Sequence, residues 1–78
     1  MELYKNEKYW KNFVKNIIWL RKHYEFPKER MAEILGINVE MLNRIENGEM
    51  PEELNMEIIF KISNFFSLNP KELFSEHL

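Results

Sequence analysis

The chain has 78 residues, 45% of them hydrophobic and 31% charged, with a net charge of −2 and no cysteine. That length leaves room for one domain and one core, the apolar share argues against disorder, and the missing cysteine excludes disulfides and thiolate zinc sites. No long apolar run and no signal-peptide pattern is present, so a membrane span or export is not expected and a cytoplasmic protein is.

No segment alternates with period two, so the expected class is all-α, with five helices. Trp10, Phe13, Val14, Ile17, Leu20 and Tyr24 recur at three- and four-residue steps and predict a long amphipathic helix from about Asn6 to Tyr24. Pro27 opens a second helix, because proline is tolerated in a first turn and disfavours helix in the residue before it. Gly36, suited to a left-handed C-terminal position, ends it. Asn38 caps a third helix that runs to about Asn47 and stops at Gly48. "EMPEEL" is a loop. Asn55 caps a fourth helix with the stripe Met56, Ile59, Ile62 and Phe66. Asn69, Pro70 and Glu72 open a fifth in the manner of a capping box. The expected organisation is one domain over residues 1–78, with 1–16 extending the first helix and 28–47 forming a two-helix unit.

The net charge conceals an imbalance. Residues 1–30 carry eight Lys and Arg against four Glu, and residues 31–78 carry three against nine, giving +4 and −6. Such polarity suits a molecule with one face towards an anion, although ordinary solvated charges produce it too.

Ala32, Gly36, Leu42 and Ile45 define the central unit. A small residue in the second helix lets the third cross close above it, glycine permits the sharp turn, and two aliphatics three apart anchor the third helix. That is the sequence form of a helix-turn-helix. With "IIWLRK", "MAEILGI", "RIENG" and "KISNFFSLNPKELF" in order and at the right separations, the chain resembles the lambda-repressor-like helix-turn-helix family, also called Cro/cI or XRE type, from about Ile17 to Phe74. The resemblance implies a compact five-helix DNA-binding domain, here with an extended first helix. It also implies a buried ion pair between Arg21 and Glu46, which tie the first helix to the end of the third.

In that family the third helix enters the major groove, N-terminal residues first. Its outward positions here are Val39, Glu40, Asn43 and Arg44. Val39 can touch a thymine methyl and Glu40 can accept from cytosine; Asn43 can pair with adenine, and Arg44 with guanine or a phosphate. They can equally be the solvent face of a short helix. By the same resemblance Lys28 and Asn47 sit where phosphates are held. Pro27 departs from the family's polar cap, and Glu49, Glu52 and Glu53 oppose phosphate binding.

Lys5, Lys8, Lys11 and Lys15 recur at helical steps, opposite the Trp10, Phe13 and Val14 seam. Together with Lys22 they can follow a phosphate backbone, or simply keep the helix soluble. Tyr4, Ile18 and Trp19 fall off the apolar seam; Ile18 and Trp19 are candidates for a protein partner. Phe65, Phe74 and Leu78 offer apolar surface at the end through which family members dimerise, so a homodimer is expected. Enzyme chemistry finds no constellation: His23 and His77 are isolated, Ser63, Ser67 and Ser75 lack an adjacent base, and Glu29 and Glu33 suit a solvated face better than a metal. No cofactor is expected. The expected function is a sequence-specific DNA-binding transcriptional regulator, repressor-like and homodimeric on operator DNA. The alternative is the same module used for protein contact, as an antirepressor or antitoxin, with weak or no DNA binding.

Overall fold

Asparagines start four of the five helices in the computed structural model, which describes residues 6–78. The helices are α1 (Glu7–His23), α2 (Lys28–Leu35), α3 (Val39–Glu46), α4 (Met56–Phe65) and α5 (Pro70–Leu73), with no strand among the described residues. Each asparagine places a side-chain oxygen on a first-turn N–H that has no partner within the helix. Asn6 accepts from Lys8 at 3.0 Å and Asn38 from Met41 at 2.7 Å. Asn55 accepts from Ile58, and Asn69 exchanges bonds with Glu72 in a full capping box. Lys5, expected in the basic stripe of α1, and Tyr4, expected off its apolar seam, lie outside the described residues.

α2 begins differently. Pro27 occupies the N-cap, with ψ at 163°, and not the first helical turn as its sequence position suggests. Its carbonyl accepts from both Arg30 and Met31 at 3.1 Å, so proline starts the helix through its acceptor and offers no side-chain cap. At the other end Gly36 takes φ +75°. Gly36 N–H donates to Glu33 O and Ile37 N–H to Ala32 O, which satisfies two terminal carbonyls in a Schellman turn. A Cβ at Gly36 would stand 2.6 Å from Lys61 Nζ, the far end of a flexible side chain that can move aside, so the left-handed backbone and not crowding is what favours glycine here. Gly36→Ala should therefore lower the unfolding free energy by about 1–2 kcal/mol from the left-handed backbone alone. Gly36→Asn should cost less, and urea titration of both variants measures the difference.

The core is one cluster drawn from every helix. Phe13, Ile17 and Leu20 of α1 join Met31 and Leu35 of α2, Leu42 and Ile45 of α3, Ile59 and Ile62 of α4, and Leu73 of α5. Ala32 is buried with them. Two sequence expectations are corrected here. Tyr24 was expected on the seam of α1 but follows its last turn and is about half exposed, stacking outside the core on Phe26 and Phe66. Phe74 was expected at a dimer surface but is buried. Its ring stacks on Phe13, which stacks on Trp10, both at 5.1 Å between centroids. The extended α1 supplies this aromatic column, and the column absorbs Phe74.

Two asparagines complete the join between α1 and the C-terminal segment. Buried Asn16 donates to Leu73 O at 2.8 Å and Ser75 O at 2.9 Å, and Asn12 donates to Phe74 O at 3.1 Å. Among the described residues no buried side-chain polar atom lacks a partner.

Candidate nucleic-acid interface

α3 is held from behind and open in front. Leu42 and Ile45, three residues apart on a helix of 3.6 residues per turn, share the inner face and are fully buried. Glu40 is exposed, while Asn43 and Arg44 are half-buried with their polar ends outward of that core. Val39 differs from expectation in degree, since it is half-buried and packs against the core. The outward set therefore consists mainly of Glu40, Asn43 and Arg44.

The end of α3 is pinned to α1. Arg21 Nε donates to Glu46 Oε2 at 2.8 Å and Arg21 Nη2 to Glu46 Oε1 at 3.0 Å, a two-pronged pair with 16% and 9% side-chain exposure. Parallel bonds from a planar guanidinium fix direction as well as distance. The turn that follows is braced by the same helix, because Trp10 Nε1 donates to Gly48 O at 3.3 Å.

The start of α2 meets the face of α3. Lys28 Nζ donates to Asn43 Oδ1 at 2.7 Å, so a residue expected at a phosphate and one expected at a base lie side by side. The bond orients the Asn43 amide with its oxygen towards Lys28. One lone pair of that oxygen and the amide N–H groups remain for a further ligand. Asn47 is exposed at the C-cap of α3.

Arg44 is engaged by the acidic turn. Its Nε donates to Glu49 Oε1 at 3.4 Å, and its Nη1 lies 3.9 Å from Glu53 Oε2. The turn folds back because Gly48 takes φ +94° and Glu49 N–H donates to Arg44 O. An open cleft lined by Asn38, Glu40, Met41, Arg44 and Glu53 lies beside this contact.

Two lysines of α1 lie beside the turn that follows α3. Lys8, Lys11, Lys15 and Lys22 are exposed. Lys11 and Lys15 border an apolar groove of about 260 Å³ with Trp10, Val14, Ile18 and Gly48, which brings two lysines of the exposed stripe beside the turn after α3. Ile18 is half-buried in that groove, whereas Trp19 is exposed and stacks on His23 at 4.5 Å.

Further aromatic surface lies at the end of α4. Phe65 and Leu78 are exposed, and the Arg30 guanidinium stands 5.4 Å over the Phe65 ring and 5.9 Å over the Phe26 ring while pairing with Glu33. Among the described residues no group of three or more His, Asp or Glu is placed to hold a metal, and no helix is long and apolar enough to cross a membrane.

Three features escaped sequence reasoning. Asn16 sits between Phe13 and Leu20 on the apolar side of α1, and a polar residue so placed signals a buried hydrogen bond. The Trp10–Gly48 bond and the Arg44 contacts join groups whose directions only the fold settles.

A helix-turn-helix family model matches residues 17–73, which is most of the chain and includes every element from the second half of α1 to α5. No curated protein and no solved structure matches the chain significantly.

Proposed function

Because the chain belongs to the XRE-type, Cro/cI-like helix-turn-helix family of DNA-binding regulators, we propose that it is a sequence-specific, repressor-like regulator that binds operator DNA in the major groove as a homodimer. One observation carries the reading: Leu42 and Ile45 seat α3 so that Asn43 and Arg44 face outward, with Lys28 bonded to Asn43. In this reading Arg44, Asn43 and Glu40 meet base edges, with Val39 at the margin. Lys28, Asn47, Lys15 and Lys22 meet phosphates. Lys15 borders the turn after α3 and offsets its glutamates. A dimer uses the exposed Phe65 and Leu78, without Phe74. The site of action is the cytoplasm.

The exposed Trp19, Tyr24 and Phe65 favour a second reading, in which the module contacts another protein through its aromatic surface. Half-buried Ile18 borders a separate apolar groove that serves the same reading. Duplex binding against salt separates the two. A DNA reader with about six phosphate contacts per dimer should lose affinity with a log–log slope near −5. A random-sequence duplex that fails to bind even at low salt, with no slope to measure, removes the DNA reading and leaves the protein-contact one.

A further inference from the structure

We propose that Glu49 and Glu53 are positioning residues that hold Arg44 for a guanine and withhold it from phosphates, an inference that rests on the DNA reading above. The acidic turn looks at first like a defect in a DNA binder, since three exposed glutamates repel a phosphate backbone. Two of the three have a directed contact, however. Glu49 accepts from Arg44 Nε, and Glu53 stands at ion-pair distance from Nη1. Glu52, in the same turn and with the same charge, makes no such contact among the described residues.

The two kinds of DNA contact respond differently to this arrangement. Attraction to a phosphate is chiefly a charge effect, and two flanking carboxylates cancel the charge of Arg44. Recognition of guanine O6 and N7 depends on a planar fork of N–H donors presented at a fixed angle. Arg44 Nη2 takes part in neither carboxylate contact, so part of the fork stays available. The carboxylates also restrict the long side chain before binding, which reduces the ordering that binding must impose. Because all three side chains are partly exposed, the pairs add little to the stability of the free protein. Their effect is felt when DNA excludes water from the contact and strengthens it. Glutamates at this turn thus lower affinity for arbitrary DNA while preserving discrimination at one base pair.

Selection of bound duplexes from a random-sequence pool, followed by titration of the selected and random duplexes against salt, tests the idea. The protein is compared with Glu49→Gln/Glu53→Gln, with Glu52→Gln, with Arg44→Ala, and with the Arg44→Ala triple variant. The expected result is a selected guanine whose preference depends on Arg44. Glu49→Gln/Glu53→Gln should weaken that preference roughly tenfold, while random-duplex binding strengthens and its salt slope steepens by about one. Glu52→Gln should keep the preference, and the pair should have no further effect on it once Arg44 is alanine. An unchanged preference in Glu49→Gln/Glu53→Gln, or an equal loss in Glu52→Gln, overturns the assignment and leaves simple charge repulsion. A wild-type chain that binds no duplex overturns the DNA reading itself, an outcome visible before any variant is compared.

Discussion

Glu46→Leu alone should destabilise the protein by about 3 kcal/mol, and Arg21→Met alone by a similar amount, whereas the double variant should return to within about 1 kcal/mol of the original chain. Each single substitution strands a charge in a site with 16% and 9% exposure, where water cannot fully replace the lost partner. The double substitution removes both charges and fills the space with apolar groups of similar size. Two bonds of 2.8 and 3.0 Å make the pair specific, but taking both charges out of water offsets much of what they gain from each other. In a domain of this length each single variant should melt on the order of 15 °C lower. Urea unfolding and thermal melts of the four proteins complete the cycle. Single variants within 1 kcal/mol of the original chain would show a solvated pair with no structural hold on α3. The functional corollary concerns α3 directly. If the pair fixes the angle of that helix, the double variant should be well folded yet bind operator less selectively, because leucine and methionine do not reproduce the directed fork.

The capping asparagines Asn38, Asn55 and Asn69, Gly36 and the anchors Leu42 and Ile45 were legible because each acts through its own few neighbours in sequence. Arg21 and Glu46 were legible through the family resemblance, and each charge on an otherwise apolar face implied a partner. Phe74 was misread for the opposite reason. Its burial depends on α1 reaching far enough back to stack Phe13 against it, a contact between residues sixty-one apart in a chain whose fifth helix is only four residues long. Arg44 was read as an outward donor, and it is one, but the turn that brings Glu49 and Glu53 to it bends at Gly48 in a direction the charges alone do not encode. Helical spacing put the lysines on the exposed side of α1, away from its buried seam, but the position of Gly48 beside Lys11 and Lys15 depends on how α1 and α3 pack. Local chemistry therefore specified the elements and the outward face of α3. The setting of that face came from packing between distant segments.

Asn16→Leu should cost about 3 kcal/mol, although leucine has the same branched outline as asparagine and suits an apolar surrounding better. The reason lies in α5. A helix of four residues has none of its last four carbonyls bonded within a longer helix. Asn16 supplies donors to Leu73 O and Ser75 O from the buried face of α1, and its third contact, to Glu72 O at 3.5 Å, is marginal. Leucine leaves the buried Leu73 O and the partly buried Ser75 O facing an apolar wall, and a carbonyl buried without a partner costs about 1–3 kcal/mol. The segment can escape that cost only by moving away, which exposes Leu73 and Phe74. Asn12→Ala removes one bond at a less buried position and should cost about 1 kcal/mol. Urea unfolding ranks the two, and amide hydrogen exchange locates the damage: residues 70–78 should lose protection before α3 does, because α5 packs on α1 and α4. If the dimer forms through this end, Asn16→Leu should also weaken binding to a two-fold operator while a single half-site is bound as before. A loss below 1 kcal/mol, or damage spread evenly over the helices, would mean that α5 is held by Leu73 and Phe74 packing and not by the buried amide.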